Sequence, residues 1–327
     1  LNWSLGKMLK TQEGVVLALT AGTLVLFAIF LPSFLTAGNL ISLVRSMSIL
    51  GLLSLAMAMV VISRGVDISV IATMVVSVSW VLVLQRNGVP LGATLLLGGL
   101  LAALVGALIG AVIAYGEIPP IFATLAAGSV VYGAGRTWLF KLEMQNVPPD
   151  SSFFTAIGNS QIFGIPVIIV VFAGFCILVH LFLTRTRLGW ALYAMGNNPA
   201  AARNSGFAIR PLTVGLYTAS SLIAFVAGLL IAASTNSINA RLYNSTMIYD
   251  ILLIVVLGGI GLNGGHGRVR NVLLGAALVG ILLNGMTILN VNFTTQNLVK
   301  GVVLLSAIVI DAILNPRDEQ TSQQGDL

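Results

Sequence analysis

Ten apolar runs separated by short polar breaks constrain this chain more than any other feature. They lie near residues 14–31, 46–63, 68–84, 91–114, 118–133, 165–183, 212–233, 248–258, 272–289 and 298–314. A helix crossing the hydrocarbon core of a bilayer needs about 20 residues, most of them apolar, and most of these runs approach that length. Two depart from it. The run at 248–258 is short, and those at 46–63 and 68–84 are one long stretch broken at Ser63-Arg64-Gly65-Val66-Asp67. Charged residues make up 8% of the chain and apolar ones 57%, against about 25% charged in a soluble domain. Such a chain has too little charge to coat a solvated surface. The expected fold is all-α: a polytopic membrane helical bundle of about ten transmembrane helices, with broken or re-entrant elements, forming a single domain over 1–327. The first run follows Lys7 and Lys10 as in a signal peptide. It is too long for a signal core and lacks a small-residue cleavage site, so it reads as a retained anchor. Cys176 is the only cysteine, which excludes an internal disulfide, and its place within a span suits packing.

Charge orients the spans. With the N-terminus inside, the inner segments carry Lys7, Lys10, Arg64, Arg185, Arg187, Arg203, Arg210, Arg268, Arg270 and Arg317, ten in all. The outer ones carry five: Arg45, Arg86, Arg136, Lys141 and Arg241. Lys300 falls in the last span. Inner loops enriched in Lys and Arg indicate an N-in, C-in chain. The net charge of +6 is then explained by a basic inner face against anionic membrane lipid and calls for no nucleic acid.

Three inter-span stretches are long enough for a function. The outer loop 134–164 contains Pro148-Pro149-Asp150 and turn signals at Gly158-Asn159 and Gly164-Ile165-Pro166, and is expected to be structured, with a short surface helix. Residues 258–268, GGIGLNGGHGR, hold six glycines in eleven positions. A phosphate loop would need G-x-x-x-x-G-K-[ST], but the only Gly-Lys pair is Gly6-Lys7, followed by Met8. No ATP hydrolysis by the chain itself is expected, and no cofactor. The glycine run reads as a turn at membrane depth, allowed where it is buried in protein or lines a cavity. His180 and His266 have no ligand partners at metal spacing, so no metal is expected.

The third stretch, 184–211, is a basic island without an acid. Pro199 stands at a first helical position after Asn198, and Ser205-Gly206 supplies a stop. A short capped helix of small side chains on the basic side of the membrane is suited to pressing against another protein. Further small-residue spacing appears at Ala102-xxx-Gly106-xxx-Gly110 and Ala276-xxx-Gly280-xxx-Asn284. It fits both related transporter halves and ordinary membrane-helix packing.

Several segments resemble one family. Gly65-Val66-Asp67-Ile68-Ser69-Val70 is similar to the G-I-D-L-S-V-G element of ABC importer permeases for monosaccharides, the ribose, xylose and autoinducer-2 type, which are related to branched-chain amino-acid permeases. The segment 194–206, AMGNNPAAARNSG, resembles their cytoplasmic A-x-G-x-N-x-x-A-A-x-x-S-G. The segment 250–265, DILLIVVLGGIGLNGG, resembles D-A-I-A-A-V-V-I-G-G-x-S-L-x-G-G, and Asn284-Gly285 echoes N-N-G. Three positions depart: Arg64 stands where the family carries glycine, Ile71 where a glycine follows the valine, and Ile248 where glutamate is common.

The resemblance implies a permease subunit of an ATP-driven importer in a bacterial inner membrane. It further implies a second permease subunit, a cytoplasmic ATP-binding subunit, and a periplasmic or extracellular binding protein that delivers a sugar. Asn197, Asn198, Pro199, Ala200, Ala201, Ala202, Arg203, Ser205 and Gly206 become the expected ATPase-docking residues. Polar groups within spans are costly and usually functional, so Asp67, Ser69, Asp250 and Asn284 are the pathway candidates. Asp67 and Ser69 serve equally well as helix-start caps, and Asp311 suits an interfacial position. Two alternatives stay open: a branched-chain amino-acid cargo with the same partners, and an ion-coupled carrier using Asp67, Asp250 or Asp311. The polar C-terminal tail, 316–327, is expected to be disordered.

Overall fold

A computed structural model of the chain describes residues 12–314, with side chains over 13–309. The tail 316–327, the basic residues Lys7, Lys10 and Arg317, and the side chain of Asp311 lie outside the described residues. The described chain is dominated by helices, and each of the ten apolar runs holds one. These are α1 (Gln12–Phe30), α2 (Ala37–Ile62), α3 (Val70–Arg86), α4 (Leu91–Gly116) and α5 (Pro120–Ala134), followed after an insertion by α7 (Val167–Arg185). Two short helices come next, α8 (Arg187–Asn197) and α9 (Pro199–Asn204). The series ends with α10 (Ile209–Thr235), α11 (Met247–Leu257), α12 (Val269–Ile288) and α13 (Phe293–Leu314).

Among the described residues, six helices are long and apolar enough to cross a membrane: Glu13–Phe30, α2, α4, α7, α10 and α12. Three shorter apolar helices accompany them, at Val70–Arg86, Met247–Leu257 and Phe293–Val309. At 1.5 Å per residue, α11 is only about 16 Å long, roughly half the hydrocarbon thickness.

Local signals set the helix ends. Pro119 and Pro120 open α5, where a missing N–H costs nothing. α4 ends on Glu117 in the left-handed conformation, and Gly88 does similar work after α3. The insertion after α5 holds a short π-helical turn (Gly135–Leu139), strand β1 (Met144–Asn146), α6 (Ser152–Asn159) and a hairpin of β2 (Gln161–Ile162) and β3 (Ile165–Pro166). Strand β1 pairs antiparallel with β4 (Ser237–Asn239), which follows α10.

The chain divides into two compact units. The first comprises residues 1–64, 179–202 and 249–327. Here α12 packs on α1 and α2, around Phe27, Leu31, Phe34, Leu43 and Ile281. Gly280 and Gly285 let α12 approach Met47 and the ring of Phe27 closely. Asn39, in the first turn of α2, exchanges two amide hydrogen bonds with Asn284 on α12, at 3.0 and 2.9 Å.

The second unit comprises residues 65–178 and 203–248. Its central contact joins α4 and α10. A Cβ on Gly106 would stand 2.5 Å from the Tyr217 carbonyl oxygen and 2.8 Å from Thr218 Cα. One on Gly110 would stand 2.6 Å from Val214 Cα. The small-residue spacing in α4 is therefore a backbone-to-backbone seam, the arrangement by which helices associate where lipid offers no hydrophobic drive.

Candidate coupling site

In the first unit, three segments distant in sequence meet: the end of α2 (62–64), the end of α8 (193–197) and the glycine turn (258–268). The Gly265 N–H donates to the Ile62 carbonyl at 2.8 Å. Gly196 of α8 lies so close that a Cβ there would collide with that same carbonyl oxygen. Tyr193 Oη donates to the Gly267 carbonyl at 2.7 Å. Burial pushes the Tyr193 phenol above its ordinary value, and the positive charge of Arg268 offsets this in part. It therefore remains a donor across the physiological range.

Arg64 ties the junction together. Its Nε donates to the Asn263 carbonyl at 2.8 Å and its Nη2 to the Asn197 carbonyl at 2.9 Å. The residue sits at φ +67°, the left-handed region that costs a side-chain-bearing residue about 1 kcal/mol or more. The family motif carries glycine at this position, which would adopt that conformation without cost. The turn that Arg64 grips is equally irregular, with Gly264, Gly265 and Gly267 all at positive φ. The sequence showed Arg64 as a departure from a motif. Only the structure shows what its guanidinium holds.

The basic island forms the short helix its sequence suggests, α9, and ahead of it the longer α8, which the sequence did not suggest. Thr186 caps α8 by accepting the Gly189 N–H at 3.0 Å. Asn198 Oδ1 caps α9 by accepting the Ala201 N–H at 2.9 Å, with Pro199 in the first helical position. Gly206, at φ +86°, follows the helix. Asn197, Pro199, Ala200, Ala201, Arg203, Ser205 and Gly206 are exposed, Asn198 is half-buried, and Ala202 is buried. The small helix thus presents alanines and one arginine outward on a foot anchored by Ala202.

The remaining candidates are dispersed. In the second unit, Asp67 is buried, and its carboxylate accepts the hydroxyls of Ser69 and Ser220 and the backbone N–H groups of Ser69 and Val70. That arrangement caps α3 from within. Ser220 on α10 gave no signal in sequence, because one serine in an apolar helix resembles any other. In the first unit, Asp250 in the opening turn of α11 is ion-paired with Lys300, and Asn284 is held by Asn39. Within the first unit, Asp250 and Asn284 thus have different partners. Among the described residues, no group of three His, Cys, Asp or Glu side chains could hold a metal ion.

Comparison with known proteins agrees with this architecture. The chain is 31% identical to the ribose import permease protein RbsC of Bacillus subtilis over 287 residues, covering 88% of each protein. It is 33% identical to the probable ABC transporter permease protein YphD of Escherichia coli over 302 residues, 91% of this chain and 88% of that one. It is 28% identical to the fructose import permease protein FrcC of Rhizobium meliloti over 316 residues, 92% and 86% respectively. No solved structure matches. A family profile matches residues 39–308, from the first turn of α2 into α13 and across all three segments of the junction. By this match and by its identity to the permeases above, the chain is a multi-pass membrane protein that belongs to the family described as branched-chain amino acid transport system / permease component.

Proposed function

We propose that this chain is the membrane subunit of an ATP-driven importer that moves a sugar or sugar-like solute inward across a bacterial inner membrane. The observation that carries the proposal is the junction of α2, α8 and the glycine turn, with the exposed helix α9 following directly from it. A chain without a phosphate loop must draw its driving force from a partner. The exposed face of α9 (Ala200, Ala201 and Arg203) is the surface we assign to a cytoplasmic ATP-binding subunit. In this reading all ten apolar helices belong to the membrane domain, with N-terminus and C-terminus inside. A second permease subunit completes the pathway, and a periplasmic or extracellular binding protein delivers cargo to the 134–164 side.

Sugar is favoured as cargo by the relatives, whose names specify ribose import, fructose import and L-arabinose transport. A branched-chain amino acid is the second reading, supported by the description of the family itself. Ion coupling through Asp67 or Asp250 has less support, since each carboxylate is already engaged by protein groups.

The test is reconstitution into vesicles with the ATP-binding subunit and binding protein of the same importer, scanned over pentoses, hexoses, polyols and branched-chain amino acids. ATP-dependent uptake of a sugar is expected, with no hydrolysis by this chain alone. Uptake driven by an ion gradient without the ATP-binding subunit would refute the assignment.

A further inference from the structure

We propose that Arg64 is a positioning residue that couples the docking segment to the membrane helices, an inference that rests on the importer reading above. Its guanidinium bonds the other two segments of the junction at once. One arm reaches Asn197, the last residue of α8, separated from the α9 docking helix only by its cap Asn198. The other reaches Asn263 in the turn between α11 and α12. Its own backbone continues from α2, whose last carbonyl, at Ile62, accepts from Gly265 and sits against Gly196. A displacement of α9 is thereby delivered to α2 through Gly196 and to the α11–α12 turn through Arg64.

The conformation of Arg64 argues that the bridge is selected for its function. Left-handed backbone is unfavourable for arginine, and glycine would relieve it. The side chain is also exposed, where hydrogen bonds to neutral carbonyls yield little net stability because water competes for both partners. A strained residue making bonds of small thermodynamic value is a weak device for stability. It is an effective device for geometry, because a planar fork fixes the spacing of the two carbonyls it bonds. Lysine keeps the charge, but its three donors radiate from one nitrogen on a flexible stem, so it does not fix the spacing of the two carbonyls as the planar fork does.

The experiment uses the complete assembly of this chain with its ATP-binding subunit and binding protein in vesicles, comparing wild type, Arg64→Gly and Arg64→Lys. Three quantities are read: recovery of the ATP-binding subunit on co-purification, stimulation of ATP hydrolysis by cargo-loaded binding protein, and cargo imported per ATP hydrolysed. Arg64→Gly is expected to assemble like wild type, since glycine suits the backbone. Cargo moved per ATP should nevertheless fall by roughly three- to tenfold. Arg64→Lys should fall between the two. An unchanged ratio in Arg64→Gly would overturn the proposal. Loss of assembly with an unchanged ratio in the remaining complex would overturn it too, making Arg64 a stabilising residue. A wild-type assembly that shows no ATP-dependent import would instead refute the importer reading itself, so the two failures are distinct.

Discussion

Lys300 Nζ lies 2.9 Å from Oδ1 of Asp250 and 3.2 Å from its Oδ2, with both side chains almost fully buried. The pair fastens the first turn of α11 to α13. Removing one member of a buried pair strands the other charge in an apolar setting, which costs about 3–5 kcal/mol. Asp250→Ala and Lys300→Ala should each lower the thermal stability of the detergent-solubilised protein sharply. Exchanging the charges, Asp250→Lys with Lys300→Asp, should recover much of that loss. The exchange also tests Asp250 as a pathway residue. Stability restored without transport would place the carboxylate in the pathway, whereas recovery of both would make the pair structural.

The docking helix gives a contrast between neighbours. Ala201 is exposed and Ala202 buried. Ala201→Glu should insert and fold normally yet weaken recovery of the ATP-binding subunit more than tenfold, since a clash at an interface centre costs about 2 kcal/mol or more. Ala202→Glu should instead reduce the amount of folded protein. Normal assembly and transport by Ala201→Glu would remove α9 from the interface.

Glycines on α4 should differ by position. Gly106→Ala forces a Cβ to within 2.5–2.8 Å of the α10 backbone and should destabilise by about 1–3 kcal/mol. Gly99→Ala meets only the Phe225 ring, at 3.6 Å, and should melt close to wild type. Equal melting temperatures for the two variants would show that the α4–α10 seam yields.

Sidedness can be read by labelling. A cysteine placed at exposed Asn204, in a background lacking Cys176, should react with an impermeant reagent only from the cytoplasmic face. One at exposed Asp150 should react only from outside. Reaction of both from the same side would change the number of crossings between them and undo the docking assignment.

Much of the helical layout was legible because hydropathy in lipid acts locally: an apolar run must satisfy its own backbone, and a helix does so. The misses are at polar residues. α2 begins at Ala37, well before the run at 46–63, because Asn39 is accommodated by Asn284 from a helix some 245 positions away. The ends of α9 were readable from Asn198, Pro199 and Gly206, since capping involves only neighbours in sequence.

By itself, the sequence determined that this is a membrane protein built of helices, roughly where its ten apolar helices lie, and that a small basic helix stands between two spans. Those properties follow from composition and from interactions a few residues apart. The tertiary structure alone decided the pairings: Asp67 with Ser220, Asp250 with Lys300, Asn39 with Asn284, and Arg64 with both Asn197 and Asn263. A buried polar group must find a partner, but its sequence does not say which. The choice is made by how closely the helices pack, and at the junction by Gly196 and Gly265, whose missing side chains let three backbones meet.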